Sequence, residues 1–468
     1  MVFSSSEFLF FFLPIALIVY FALLRKRGSR NVFLTLISLF FYAWGEPWFV
    51  FVMLASIAFN WLCALQIDRR RGKQSAKTWL IFSVIGNLGL LGTFKYLKFV
   101  LENLNWAFSA HIPVPGIVLP IGISFFTFQA MSYVIDVYRN DGKVQKNFMN
   151  VCLYVSFFPQ LIAGPIVRYQ TIADEINGRV ENMDDFLEGA RRFMVGLGKK
   201  VILANSLALL VDNAFSHTPG ELSMGSAWLG AIGYLWQVYY DFSGYSDMAI
   251  GMGKMFGFHF LENFNYPMIS RSITEFWRRW HISLGSWFRD YLFFPLGGSR
   301  VKSVWRLLFN MFVVWSLTGL WHGASWNYLF WGIGFFILLA FERLTGLSKK
   351  LEKHPMAVFY AMIAVITITV MIRSNSLSYA SSYIGAMYGV HSVGFWDATA
   401  SMYVREYGVF VALALLIGLP IGQFVKQKLH VPESVYEIIS AVGLIAVFVI
   451  SISYIVMGGY NPFIYFNF

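Results

Sequence analysis

The sequence predicts an all-α protein that crosses a membrane many times. Of its 468 residues, 57% are hydrophobic and only 13% are charged, with a mean hydropathy of +0.59. A soluble globular protein carries a charge on roughly one residue in four. The second observation is the alternation of apolar runs, long enough to cross a bilayer, with short basic segments. The composition and the alternation of apolar and basic segments therefore both predict a polytopic membrane protein, with about eleven spans or partial spans.

The first third of the chain predicts regular spans joined by basic loops. The first apolar run has no basic residues before it and no cleavage site after it, so we expect a retained helix and not a removed signal peptide. Basic clusters follow at 25–30, 68–73 and 138–143, and simple alternation puts all three on one side. The positive-inside rule makes that side cytoplasmic and the N-terminus extracytoplasmic. The expected spans are 8–24, 32–44, 49–67, 79–94 and 118–137, with an external or interfacial segment at 95–115.

The next apolar run, 148–167, contains Pro159 and the pair Gly164-Pro165. Each proline removes a backbone donor, so a straight span is not expected. The sequence predicts a re-entrant or broken helix, which is tolerated only where protein covers it or a cavity runs beside it. Residues 168–200 are the most polar part of the chain and are expected in the cytoplasm. A short span at 201–215 and an external loop at 217–225 should follow.

The run 228–256 contains two carboxylates, Asp241 and Asp247. Because a charge facing lipid is costly, both should face the protein interior or a water-filled cavity. The segment 270–299 has an amphipathic helical pattern and is expected to lie in the membrane interface. Ser272 and Glu275 resemble a capping box at its start. Its apolar face would hold Trp277, Trp280, Leu284 and Phe288, and its polar face Arg278, His281 and Arg289.

A long uncharged run lies between Arg306 and Glu342, and His322 stands in its middle between Trp321 and Gly323. An ionisable group at membrane depth is a functional-site hypothesis by default. A histidine that only hydrogen-bonds between helices would give the same pattern, so both interpretations stay open. Small residues on either side predict close helix packing or a distorted helix. Further spans are expected at 356–372, 409–424 and 438–457, with a small-residue stretch at 379–388 and an aromatic tail at 458–468 that docks in the protein or at the interface.

Two histidines are the candidates for chemistry. An imidazole can take a proton from a hydroxyl and later donate one, so His281 and His322 suit acyl transfer. The planar guanidinium groups of Arg278, Arg279 and Arg289 suit the phosphates of a nucleotide-containing donor. A lipid headgroup contact would equally explain His281, and anionic headgroups would explain the arginines.

Other site classes find little support in the sequence. The eight histidines are scattered, and neither an HExxH pair nor a Cys/His spacing predicts a metal site. Cys63 and Cys152 lie in apolar runs and are expected to be packed thiols. The sequence contains no GxSxG nucleophile elbow, which disfavours a serine hydrolase. The net charge of +11 is spread over short loops, which membrane topology explains without nucleic acid.

Four motifs, taken in order, resemble those of the membrane-bound O-acyltransferase (MBOAT) superfamily. They are DFSGYSD at 241–247, EFWRRWHISL at 275–284, RDY at 289–291 and GLWHG at 319–323. The opening MVFSS, LPIGISF at 119–125, LIAGP at 161–165 and PFIYF at 462–466 are similar to the bacterial alginate O-acetyltransferase branch. The resemblance covers essentially the whole chain.

The resemblance implies a single MBOAT domain over residues 1–468, built as a ring of about eleven helices with funnels from both membrane faces. N-terminal helices would occupy 1–145, a catalytic core 146–345, and C-terminal helices 346–468. His322 matches the catalytic histidine of the family, and His281 matches its second characteristic position. Arg278, Arg279 and Arg289 would lie on the cytoplasmic funnel.

The resemblance also implies an activity. The donor would be acetyl-CoA, with no bound cofactor, and the acetyl group would pass across the cytoplasmic membrane of a bacterium. Its acceptor would be a polysaccharide, reached through an extracytoplasmic partner protein. Two alternatives stay open: D-alanyl transfer from a carrier-protein thioester to a cell-wall polymer, and a transporter without bond chemistry, which broken helices and buried polar groups also suit.

Overall fold

The computed structural model describes residues 1–422 and 432–462, and these residues contain helices and loops but no β-strand. The end of the aromatic tail, 463–468, lies outside the described residues. Seven helices in the described part are long and apolar enough to cross a membrane. They are Phe49–Arg69, Gln74–Phe108, Met183–Ala214, Val304–His322, Trp326–Thr345, Ala398–Ile417 and Glu433–Val456. Two shorter apolar helices are Phe8–Leu23 and Ala357–Arg373. The all-α, multi-pass prediction is therefore confirmed, while the ring and its funnels stay predictions.

The chain divides into two compact units, one formed by residues 1–193 and 246–261 and the other by the remaining described residues. Whether they make up the single expected domain stays a prediction. Further helices of the first unit are Arg27–Gly45, Ile123–Arg139, Phe148–Ser156, Phe158–Leu161 and Tyr169–Gly178. Further helices of the second unit are Ile273–Arg279, Ile282–Phe288, Arg289–Phe293, Leu347–Leu351 and Leu377–Met387. The helix Met224–Met255 contributes residues to both units.

The interrupted helix predicted at 148–167 is present in the first unit. Phe148–Ser156 begins at Asn147, whose side chain accepts a hydrogen bond from the backbone N–H of Met149. The helix ends at Phe157, and a short turn, Phe158–Leu161, carries Pro159 near its start. All of these residues from Asn150 onward are buried, so protein covers the break as the backbone chemistry requires.

Two helices extend beyond the spans expected from the sequence. The helix that contains the expected span 79–94 continues to Phe108. Lys95 does not terminate it, because its ammonium group is buried and donates to the Ser124 hydroxyl at 3.0 Å. The helix that contains the expected span 201–215 begins at Met183. Within it Arg192 pairs with Asp247 at 2.9 Å and Lys200 pairs with Asp241 at 2.6 Å, so these cations do not mark its end either. Both carboxylates are thus paired inside the protein, as expected.

A charged cluster around Glu181 ties the first helix of the first unit to the segment before Met183. The carboxylate of Glu181 receives hydrogen bonds from Arg27, at 3.0 Å, and from the hydroxyl of Tyr20, and it pairs with Arg30 at 3.2 Å. Arg179, whose side chain is fully buried, donates to Tyr20 at 3.0 Å. Burial opposes ionisation of Glu181, but the hydrogen bonds from Arg27 and Tyr20 outweigh it and lower the pKa of this carboxyl to about 2.

A close helix contact within the second unit lies in the hairpin formed by Val304–His322 and Trp326–Thr345. A Cβ atom at Gly319 would lie 2.3 Å from the carbonyl oxygen of Tyr328, and one at Gly332 would lie 2.3 Å from the carbonyl oxygen of Trp315. Only hydrogen atoms fit at these positions. The close packing predicted around His322 is therefore confirmed.

We expect the Glu181 cluster to stabilise the fold above pH 4.5 and to lose this effect as the pH falls toward 2. The pKa of this carboxyl is lower in the folded protein than in the unfolded chain, so acid protonates it first in the unfolded state. Glu181→Gln should cost roughly 1–3 kcal/mol near neutral pH, because it leaves a buried guanidinium short of a partner. Thermal midpoints of the two proteins should converge from about pH 6 to about pH 3. Glu102→Gln, at an exposed pair, is the control; a constant gap at every pH would contradict the expectation.

Gly332→Ala should weaken the hairpin by roughly 1–3 kcal/mol, because the added methyl group meets a backbone carbonyl that cannot move aside. Gly334→Ala, in the same helix, is the matched control. Its Cβ atom would lie 3.4 Å from the Ile368 side chain, which is an ordinary contact. Thermal unfolding in detergent, followed by size-exclusion chromatography, measures both. Equal midpoints for the two variants would show that the hairpin tolerates the methyl group.

Candidate active site

The segment that carries His281 is broken at a point where the sequence pattern predicted a continuous helix. Ile273–Arg279 ends at Trp280, and Ile282–Phe288 begins after His281, whose backbone has φ +45°. The backbone N–H of Asn265 donates to the carbonyl of Arg279 at 2.9 Å, and that of Ile282 donates to the carbonyl of Asn263 at 3.0 Å. These contacts hold the chain in a bend, and the expectation of one unbroken amphipathic face is wrong.

The backbone of His281 is in the left-handed region, which costs free energy for a residue with a Cβ atom. Such strain persists only where the surrounding structure enforces it, and it concentrates at functional sites. Here Asn263 contributes further: its side-chain oxygen accepts a hydrogen bond from the hydroxyl of Ser283 at 2.9 Å. The position of His281 is therefore fixed from both sides.

The imidazole of His281 is 1% exposed and meets the edge of the Phe242 ring, with centroids 4.5 Å apart. Among the described residues, neither of its ring nitrogens has a hydrogen-bond partner. Burial, and secondarily the neighbouring His322, lowers the pKa of His281 well below its ordinary value. A neutral imidazole results, with one nitrogen able to donate and the other able to accept.

His322 is the last residue of Val304–His322 and is 6% exposed. The rings of Trp321 and Trp331 lie edge-on to it at 5.0 Å. The centroids of the His281 and His322 rings are 6.2 Å apart. Two imidazoles separated by 41 positions in the sequence thus meet in a wall of aromatic side chains, close enough for both to contact one small reacting group.

Two adjoining cavities lie in the second unit; His281 lines one of them, and His322 is in the wall of neither. The histidine cavity, about 520 Å³, has His281, Trp277, Leu284, Phe288 and Trp315 in a mostly apolar wall. The arginine cavity, about 530 Å³, has five cationic side chains and two carboxylates in its wall. Those seven residues are Arg271, Arg278, Arg279, Arg343, Lys349, Glu275 and Glu352. Thr274, Arg278 and Arg343 line both cavities, so a polyanionic head and an apolar arm of one molecule would find adjoining surfaces.

The three arginines singled out in the sequence do not form one cluster. Arg278 borders both cavities, whereas Arg279 borders the arginine cavity and pairs with Glu275 at 2.9 Å. Arg289 borders the histidine cavity and pairs with Asp290 at 2.8 Å. Arg343 was not among the residues that the sequence pattern indicated, although it directly follows Glu342 at the end of the uncharged run. Among the described residues no group of His, Cys, Asp and Glu could hold a metal ion.

Comparison with known proteins decides the family. The sequence profile of the membrane-bound O-acyltransferase family matches residues 142–382. A relative from Pseudomonas putida, named "Probable alginate O-acetylase AlgI", is 38% identical over the full length of both chains. The chain belongs to the MBOAT family. It is therefore an O-acyltransferase of the membrane, as the motifs predicted, and the stretch matched by the family includes both histidines and all the arginines of the two cavities.

Two more relatives extend the comparison of this MBOAT protein. The protein of the same name from Pseudomonas aeruginosa is 41% identical, over 92% of this chain and 83% of its own. The peptidoglycan O-acetyltransferase of Helicobacter pylori is 34% identical, over 84% of this chain and 81% of its own. The similarity thus reaches well beyond the four motifs into the helices that carry them.

Proposed function

We propose that this protein takes an acetyl group from cytoplasmic acetyl-CoA and passes it across the cytoplasmic membrane of a bacterium, for O-acetylation of an extracytoplasmic polysaccharide. The observation that carries the proposal is the meeting of His281 and His322, whose ring centroids are 6.2 Å apart, with His281 in the wall of an apolar cavity that adjoins a cationic one. The names of the relatives support an acetyl group and a glycan acceptor.

In this proposal His322 is the general base. It takes the proton of an acceptor hydroxyl, the hydroxyl oxygen attacks the thioester carbonyl, and the C–S bond breaks. The thiolate of coenzyme A leaves and takes up the proton that His322 holds, so an ester and a free thiol are the products. A positioned base typically accelerates such a step on the order of 10²–10⁴-fold. A covalent acyl-protein intermediate is compatible with the same base.

His281 would orient the acceptor hydroxyl or polarise the thioester carbonyl. As a neutral imidazole with no partner among the described residues, it has a donor nitrogen ready for a developing oxyanion. Its strained, enforced backbone keeps that donor in place before substrate arrives, which is the condition for electrostatic preorganisation.

The donor would lie across both cavities. Its phosphates would meet Arg278, Arg279 and Arg343 in the arginine cavity, where planar guanidinium groups form paired hydrogen bonds with phosphate oxygens. Its pantetheine arm would follow the apolar wall of the histidine cavity toward His281. Arg289 stays a candidate at the side of that second cavity, with Asp290 as its present partner.

The topology is part of the proposal. Basic loops at 25–30, 68–73 and 138–143 support a cytoplasmic donor side and an extracytoplasmic N-terminus. A ring of helices with a funnel from each face would let donor and acceptor approach the histidines from opposite sides. The final transfer to the polysaccharide would go through an extracytoplasmic partner protein.

His322→Ala should lower the rate of acetyl-CoA cleavage on the order of 10²–10⁴-fold, while the protein stays folded. The measurement uses purified protein in nanodiscs with radiolabelled acetyl-CoA. It follows the release of the labelled acetyl group and the labelling of the protein. His111→Ala, in an exposed loop of the first unit, is the control. Wild-type cleavage rates in a folded His322→Ala protein would assign the base to another residue.

The same assay separates the alternatives. A wild-type protein that ignores acetyl-CoA but cleaves a D-alanyl thioester on a carrier protein would support the D-alanyl function. A protein that cleaves neither thioester, yet moves solute across a vesicle membrane, would support the transporter.

Arg278→Ala and Arg343→Ala should each raise KM for acetyl-CoA about tenfold, which corresponds to about 1.4 kcal/mol of lost binding, with little change in kcat. The reason is the loss of a guanidinium group that borders both cavities. With S-acetyl-pantetheine, which lacks the nucleotide, the two variants should behave as wild type. Arg405→Ala, at an exposed position of Ala398–Ile417, is the control. An equal rise in KM for acetyl-CoA and for S-acetyl-pantetheine would show that these arginines do not bind the phosphates of the donor.

A further inference from the structure

We infer that Glu342 is a positioning residue that holds the helix leading into His281 and thereby sets the geometry of the two histidines. The inference rests on the proposed function, because it concerns the orientation of the same site. Glu342 itself touches neither imidazole. It acts through Ile273–Arg279, the short helix that ends two residues before His281.

Three hydrogen bonds converge on the carboxylate of Glu342. One oxygen accepts from the backbone N–H of Ile273 at 2.7 Å. The other accepts from the backbone N–H of Thr274 at 2.9 Å and from the Thr274 hydroxyl at 2.6 Å. The side chain is fully buried, and it reaches this helix from Trp326–Thr345, 68 positions further along the chain.

The first turn of a helix leaves backbone N–H groups without intrahelical partners. In Ile273–Arg279 the third of these, from Glu275, donates to the side chain of Ser272 at 3.0 Å. The first two donate to Glu342. Removal of the carboxylate would therefore leave two backbone donors unsatisfied, one of them fully buried, which is more costly than the loss of an exposed bond. The helix start would have to shift or to admit water.

The site lies directly downstream of this contact. Thr274 and Arg278, on the held helix, and Arg343, next to Glu342, are the residues that border both cavities. Trp326–Thr345 also packs through Gly332 against the helix that ends at His322. Glu342 thus fixes the backbone before His281 to the hairpin that carries His322, and the 6.2 Å spacing of the rings depends on this connection.

The kinetic test compares Glu342→Ala with Glu342→Gln, which retains one acceptor oxygen. Glu342→Ala should lower kcat for acetyl-CoA cleavage at least about tenfold with a KM change below about threefold, because misorientation of a catalytic group reduces the rate more than the binding. Glu342→Gln should recover part of the loss. The control is Asp397→Ala, which removes a carboxylate that caps another helix of the same unit at the backbone N–H of Ala400, 2.7 Å away. A folded Glu342→Ala protein with the kcat of the control would overturn the inference.

A second measurement needs no donor. Ser270 is fully buried three positions before Ile273, and the two native cysteines, Cys63 and Cys152, are buried as well. In Ser270→Cys, the rate of maleimide labelling reports whether the helix start opens. Adding Glu342→Ala should raise this rate at least about fivefold, since local opening exposes buried groups, whereas adding Asp397→Ala should not.

The two measurements separate the inference from the proposed function. If the wild type fails to cleave acetyl-CoA, the proposed function fails, and the labelling result still decides whether Glu342 holds the helix. Unchanged labelling in Glu342→Ala overturns the inference. Faster labelling with an unchanged kcat overturns it too, since Glu342 would then stabilise the helix without setting the site.

Discussion

Polar groups buried in an apolar helical protein must find their partners inside the protein, and this constraint shapes the whole structure. Lys95 reaches Ser124, Lys200 reaches Asp241, and Glu342 reaches the start of a helix distant in sequence. Each contact fixes the register of two segments, which apolar packing alone would not determine. In a protein that exposes many large apolar side chains, such contacts supply the specificity that hydrophobic burial supplies in water.

His281 stands out against this background. Its ring nitrogens are buried and, within the described residues, without a partner, while its backbone is held in an unfavourable conformation by Asn263 and Asn265. Both features cost folding free energy and neither improves packing. A site that binds a reacting group needs hydrogen-bonding groups that are still unsatisfied. These two features of His281 therefore support the proposed catalytic function better than a purely structural role.

The sequence was sufficient for the all-α, multi-pass architecture and for the family, because these depend on composition and local order; the roles of His281 and His322 stay predictions. Apolar runs predicted most helices, and the motifs singled out His281 and His322. It failed where a distant side chain decided the local structure. The extension of the helix past Lys95 depends on Ser124, and the break at His281 depends on Asn263. The contacts of Glu342 and the position of Arg343 between the two cavities could not be predicted for the same reason, since the periodicity of a segment does not show which distant residues pack against it.

The tyrosine that follows the GLWHG segment has a consequence for the space around His322. The ring of Tyr328 lies where a Cβ atom at Gly323 would stand, only 2.2 Å away, and its backbone carbonyl closes off Gly319. The glycine after the histidine is therefore a steric requirement imposed by one aromatic ring. In the proposed acyltransferase, more room next to Gly323 would come from shortening residue 328, because the glycine has no side chain to remove.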